Sequence, residues 1–143
     1  MEKTNNLKLN VWEKSDPILV GDFNEDNRKI DAAVGALTAG AVKIYTGSYT
    51  GTGQYGAGNP NSLEFPFTPQ IVIIQPDILD SSGCGAIIFQ GQKNCVGMVQ
   101  THALQLKISW SDEHKKMQWI TNQSAAEYQL NGNGIFYRYI VIG

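Results

Sequence analysis

Beyond Gly40 the apolar residues of this chain stop recurring at helical spacing and begin to alternate, and no helical stretch interrupts them again. In "LQLKISW", Leu104, Leu106, Ile108 and Trp110 fall on one face of a strand. "VKIYTGSYT" and "MQWITN" read the same way, the second returning from the polar turn "SDEHKK". In "LEFPF" the alternation runs through Leu63, Phe65 and Phe67, and Pro66 marks an edge or bulged strand. "QIVIIQ" predicts a strand buried on both faces. "CGAIIFQ" and "CVGMVQT" predict a hairpin around "GQKN", and "EYQL" with "IFYRYIVI" predicts another around "NGNG". Strands this short and this closely spaced predict a mainly β chain: an antiparallel β-sandwich of about seven to eight strands over residues 41–143. Without helices between strands, a parallel α/β sheet is not expected.

Residues 1–40 have a different character and form a separate N-terminal segment. A helix is predicted over about 22–38, with Asp22 as N-cap, Glu25 three residues later and Gly40 ending it. Phe23, Ile30 and Leu37 recur every seven residues with Ala33 and Val34 between them, bordered by Asn27, Arg28, Lys29 and Asp31. Two readings stay open for this stripe. It lies on its own domain, or it forms a short bundle between identical chains.

Gly51, Gly53 and Gly56 in "YTGTGQYGAGNP" match the GxGxxG dinucleotide fingerprint, and Asp77 follows an apolar run downstream. That fingerprint needs a helix directly after the glycines to hold the pyrophosphate. Here "AGNPNSLEFPFTP" follows, with Pro60, Pro66 and Pro69, and cannot be helical. The glycines predict a wide, flexible turn with Tyr55 at its tip. No cofactor is expected.

Charged residues make up 17% of the chain and the formal net charge is −2, with no basic run, which argues against nucleic acid. No apolar stretch is long enough to span a membrane, and the first ten residues lack the apolar core of a secretion signal. Cys84 and Cys95 are expected as free, mostly buried thiols, too far apart in the predicted hairpin to bridge. With His102 and His114 isolated, neither a metal site nor a nucleophile–base pair is expected. Asp77, Asp80, Asp112, Glu113 and Glu127 fall in or near loops, where carboxylates are usually solvated, so no catalytic residue is assigned.

Aromatic rings beside Asn, Gln and Asp suit sugars, which offer a C–H face and a hydroxyl rim. Tyr55 and Tyr128 lie nearest to turns, and Asn59, Asn61, Asp80 and Asp112 complete the candidate ligand contacts. They belong to loops near 51–62, 76–83 and 111–116 and to the turn before the last strand. On that strand Tyr137 and Tyr139 share one face, and Phe136, Arg138 and Ile140 the other. Both faces are largely apolar, so burial on both sides is expected, the second under a partner subunit.

Residues 9–37, with Trp12-Glu-Lys, Asp16-Pro17, Asp22-Phe23-Asn24 and Lys29-Ile30-Asp31, resemble the N-terminal segments of tail-fibre and receptor-binding proteins from phages and prophages of Gram-positive bacteria. "LNGNGIFYRYIVIG" resembles the closing strand of such fibre proteins. "GSYTGTGQYGAGNPNSLEFPFTPQIVII" is similar to a tail-fibre module reminiscent of H-type lectin sandwiches, which are trimeric and bind sugars. The resemblance implies a non-enzymatic, homotrimeric adhesin of the virion, made in the cytoplasm without a signal peptide. It would bind a host surface glycan and other tail proteins. Phe23, Ile30, Leu37, Tyr137 and Tyr139 would then be trimer contacts. Two rivals are a structural tail or baseplate component that binds only virion proteins, and a small glycan hydrolase.

Overall fold

The computed structural model describes residues 2–77, 85–99 and 102–143. The chain is mainly β, with one α-helix and antiparallel sheets, as the alternation predicts. It divides into two compact units, Met1–Ala41 and Val42–Gly143.

In the first unit, strands β1 (Glu2–Lys3) and β2 (Asn10–Val11) pair antiparallel, and helix α1 (Val20–Gly40) follows. The helix is longer than predicted at both ends. Leu19, not Asp22, is the N-cap, and no side chain caps the helix there. Asp22 sits in the first turn, where its charge favours the positive end of the helix dipole. Glu25 pairs instead with Lys29 at 2.8 Å, which lowers the carboxyl's pKa and raises that of the ammonium. The β1–β2 segment is fastened to the helix by a hydrogen bond and a ring contact. The amide of Asn10 donates to Asp26 Oδ2 at 2.9 Å, and Trp12 stacks on Phe23 at 5.2 Å. Phe23, Ile30, Val34 and Leu37 remain exposed, Leu37 by 74%.

The second unit holds two four-stranded antiparallel sheets. Its strands are β3 (Ile44–Thr50), β4 (Asn61–Glu64), β5 (Ile71–Pro76), β6 (Ala86–Phe89), β7 (Asn94–Val99), β8 (His102–Ser111), β9 (Lys116–Thr121) and β10 (Phe136–Ile142). One sheet runs β3-β10-β5-β6 and the other β4-β9-β8-β7. A single buried cluster takes Val72, Ile74, Ile88 and Val141 from the first sheet and Leu104, Leu106, Met117 and Trp119 from the second. Leu104, Leu106 and Ile108 share the inward face that the alternation assigns them. The segment around Pro66 adjoins β4, an edge strand, where a missing N–H does least harm.

Three expectations are corrected. "QIVIIQ" is fully buried on one face only: Val72 and Ile74 point inward while Ile71 and Ile73 stay half-buried. β6 and β7 do not pair, because the turn between them is a corner between sheets. The amide of Gln90 donates to Gln70 O at 2.9 Å on one side, and Ile108 N donates to Lys93 O at 2.8 Å on the other. "EYQL" is no strand: Ala126–Gln129 forms a short 3-10 helix, closed by Leu130 at φ 58. β10 therefore pairs with β3 and β5, from distant parts of the chain.

The final strand is buried on one face only. Tyr137 and Tyr139 are 2% and 8% exposed and belong to the chain's own core, which removes them from the surface open to another subunit. The exposed apolar residues of β10 are Phe136 and Ile140. Cys95 is a buried free thiol whose Sγ lies 3.6 Å from Ile87 O; burial pushes its pKa up. Cys84 lies outside the described residues. No helix among the described residues is long and apolar enough to cross a membrane.

A polar hollow between two edge strands

The glycine-rich loop is tied down along its length. Gly51 N donates to Ile135 O at 2.7 Å, and Gly134 N returns a bond to Gly51 O at 2.9 Å. Gly53 N donates to Asn131 O at 2.8 Å. At Gly51 a Cβ would overlap the carbonyl oxygen of Gly132, so this close backbone approach requires glycine. The expected flexible turn is instead a loop fixed by bonds to residues 129–135.

Two buried carboxamides do most of this work. Gln129 donates from Nε2 to Asn59 O at 2.7 Å and to Asn61 Oδ1 at 3.0 Å. Its Oε1 accepts from Gly56 N at 2.8 Å and Thr121 N at 2.9 Å. Both donors and both acceptor sites are used, so the group is buried at little cost. Asn131 accepts from Thr52 N at 3.0 Å and donates to Thr52 Oγ1 and Gln54 O, each at 2.8 Å. Trp119 Nε1 donates to Gln129 O at 2.7 Å, which anchors the short 3-10 helix to β9.

The loop so fixed walls a hollow of about 300 Å³ between the start of β4 and the end of β3. Tyr49 and Thr50 come from β3, Asn61 and Ser62 from β4, and Thr52, Gln54, Asn59 and Pro60 from the loop, with Trp119 and Asn131 completing it. Tyr49 stacks on Tyr137 at 5.0 Å and donates to Leu130 O at 2.8 Å. Burial first, and then the neighbouring Tyr137, push its phenol pKa well above the ordinary value. The lining carries amides, hydroxyls and aromatic rings but no acidic, basic or thiol side chain. The side chains of Gln54 and Ser62 make no hydrogen bond to the described residues, which leaves them available to a ligand.

Of the predicted contacts, Asn59 and Asn61 line the hollow. Tyr55 is exposed in the same loop but outside the lining. Tyr128 is half-buried and packs against the core. Asp112 lies in the β8–β9 turn, away from the lining, with Glu113 and His114 beside it, all three at positive φ. Asp80 lies outside the described residues. Sequence reasoning missed Gln129, Asn131, Thr52 and Gln54. The one available signal was two carboxamides, Gln129 and Asn131, bracketing Leu130. Among the described residues, no three of His, Cys, Asp and Glu converge as metal ligands would.

Fold and hollow together define a mainly β chain with an uncharged, amide-lined mouth between two sheet edges. No protein-family model, curated protein or solved structure matches it.

Proposed function

We propose that this chain is a non-catalytic adhesin of a phage or prophage tail, located in the virion, which binds a host cell-surface glycan in the hollow beside Tyr49. The observation that carries the reading is the lining itself: amides and hydroxyls held in place by Gln129 and Asn131, aromatic rings at the base, and no charged group. Such a lining offers donors and acceptors to sugar hydroxyls, and prior ordering of the loop lowers the cost of binding. The resemblance of residues 9–37 to tail-fibre proteins supports the setting. A glycan array with the full chain tests it. Binding to surface glycans that weakens at least tenfold in Asn59→Ala and Gln54→Ala is expected; binding unchanged by both variants would refute the hollow as the site.

A homotrimer is part of this proposal, since three shallow sites on one particle add avidity. The exposed stripe of Phe23, Ile30 and Leu37 on α1 is its first contact surface. Sedimentation of a monomer at micromolar concentration would count against it.

A structural tail component is favoured by a different observation. On the outer face of the β3-β10-β5-β6 sheet, Ile44, Ile140, Ile87 and Phe89 are exposed, with Ile73 and Ile71 half-buried between them. A continuous apolar face of this kind marks a protein contact. An empty glycan array together with tight binding to a baseplate protein would establish that reading instead.

A further inference from the structure

The hollow beside Tyr49 does not stand alone. Pro60 and Trp119 also line a second depression of about 170 Å³ over the outer face of the β4-β9-β8-β7 sheet. There Ser109 of β8 lies opposite Gln118 of β9, and Lys107 lies opposite Ile120. Lys107 in turn lines a third depression of about 160 Å³, shared with Val96, Gln105 and Asn122. Shared walls thus join three depressions into one path. It starts between the sheet edges, passes over Pro60, crosses β9 and β8, and ends against β7. From β9 to β7 is two strand spacings, so the part on the sheet is about 10 Å long.

Amides recur in all three linings and hydroxyls in the first two, though the second and third are more apolar, with Ile108 and Ile120 in one and Val96 and Leu106 in the other. Its one charged side chain is Lys107, which forms no ion pair with a described residue. No acid lines any of the three, so the path offers a cationic ligand nothing. A single sugar would fill the first hollow and leave the other two depressions without a purpose.

We infer that the chain binds an extended, hydroxyl-rich polymer along three adjoining subsites, entering at the Tyr49 hollow and lying across Ser109 and Lys107, rather than one terminal sugar. This rests on the glycan reading above and adds the length of ligand that the site takes. Each filled subsite adds hydrogen bonds and buried area, so affinity rises with ligand length until the path is full.

The test uses the full chain and purified cell-wall polysaccharide of a Gram-positive bacterium, hydrolysed and fractionated by length from one repeat unit upward. Calorimetry is expected to show affinity rising by about tenfold or more from the shortest fraction to those that fill the path, then levelling off. In Ser109→Trp, where an exposed ring blocks the second depression, the shortest fraction should bind as before and the gain with length should vanish. Unchanged binding of the shortest fraction also shows that the variant is folded. Affinity independent of length in the wild-type chain, or a length gain that survives Ser109→Trp, overturns the inference while leaving the glycan reading intact. Failure of every fraction to bind overturns both.

Discussion

The buried amide of Gln129 donates to the side-chain oxygen of Asn61 at 3.0 Å, joining residues 68 apart in the chain. The same group holds Asn59, Gly56 and Thr121, so one side chain fixes both the glycine-rich loop and the first residue of β4. Replacing it by alanine removes the partner of four polar groups, of which Thr121 N is buried and the other three part-buried. Each such loss costs about 1–3 kcal/mol before relaxation. Gln129→Ala is expected to lose at least about 3 kcal/mol in urea unfolding. Gln129→Glu keeps the shape but turns an oxygen toward Asn59 O and Asn61 Oδ1, and should also destabilise.

Gly51 tests the close backbone approach. Gly51→Ala puts a methyl into the carbonyl of Gly132, where backbone rather than a flexible side chain must yield. A loss of about 3 kcal/mol is expected. Gly58, in the same loop, has open space where its Cβ would go, and Gly58→Ala should stay within about 0.5 kcal/mol of wild type. Equal effects in the two variants would contradict the described packing.

The β8–β9 turn carries Asp112, Glu113 and His114 at φ 52, 55 and 66, a left-handed run that ordinary residues avoid. Glu113 contributes its carbonyl to Thr68 Oγ1, a bond that glycine keeps, and its side chain makes only an exposed pair with Lys115 at 3.9 Å. Glu113→Gly removes about 1–2 kcal/mol of strain and adds back somewhat less as backbone entropy. A small gain in stability, visible as a higher melting temperature, is expected. A lower melting temperature would show that the side chain matters more than its geometry.

Alkaline pH should unfold the chain through its tyrosines. Burial raises the pKa of Tyr49, with Tyr137 adding to it. Burial also raises that of Tyr139, with Tyr45 beside it adding to the effect. Above about pH 10 the unfolded chain has lost phenolic protons that the fold retains. Stability contributed by the neutral phenols is therefore complete below that pH and declines above it, by about 1.4 kcal/mol per pH unit for Tyr49 and by less for Tyr139. Tyr49→Phe should make the decline shallower. It should also cost about 1 kcal/mol at neutral pH, from the lost bond to Leu130 O. Urea unfolding from pH 7 to pH 11 reads both effects.

Alternation disclosed the strands and their inward residues because burial of one sheet face imposes a period of two on the sequence itself. Leu104, Leu106 and Ile108 needed no partner to be assigned. Pairing is different, since it depends on residues far away. β6 and β7 are neighbours in sequence and looked like a hairpin, yet the corner at Gln90–Lys93 sends them to separate sheets. The two faces of β10 were both apolar, so composition could not say which was inside; Tyr137 and Tyr139 took the core and Phe136 and Ile140 the surface. The hollow was half legible. Asn59 and Asn61 declared themselves as loop amides, while Gln129 and Asn131 matter mainly through partners some 70 residues earlier.

The position of β10 between β3 and β5 sets the order in which the sheet can form. Both neighbours leave the ribosome well before residues 136–142 and must wait, with unpaired edges, for the strand that separates them. Gln129 and Asn131, which arrive just ahead of it, shape the hollow beside Tyr49 at nearly the same moment. The hollow and sheet closure are thus late, linked events of folding, and a nascent chain carries neither.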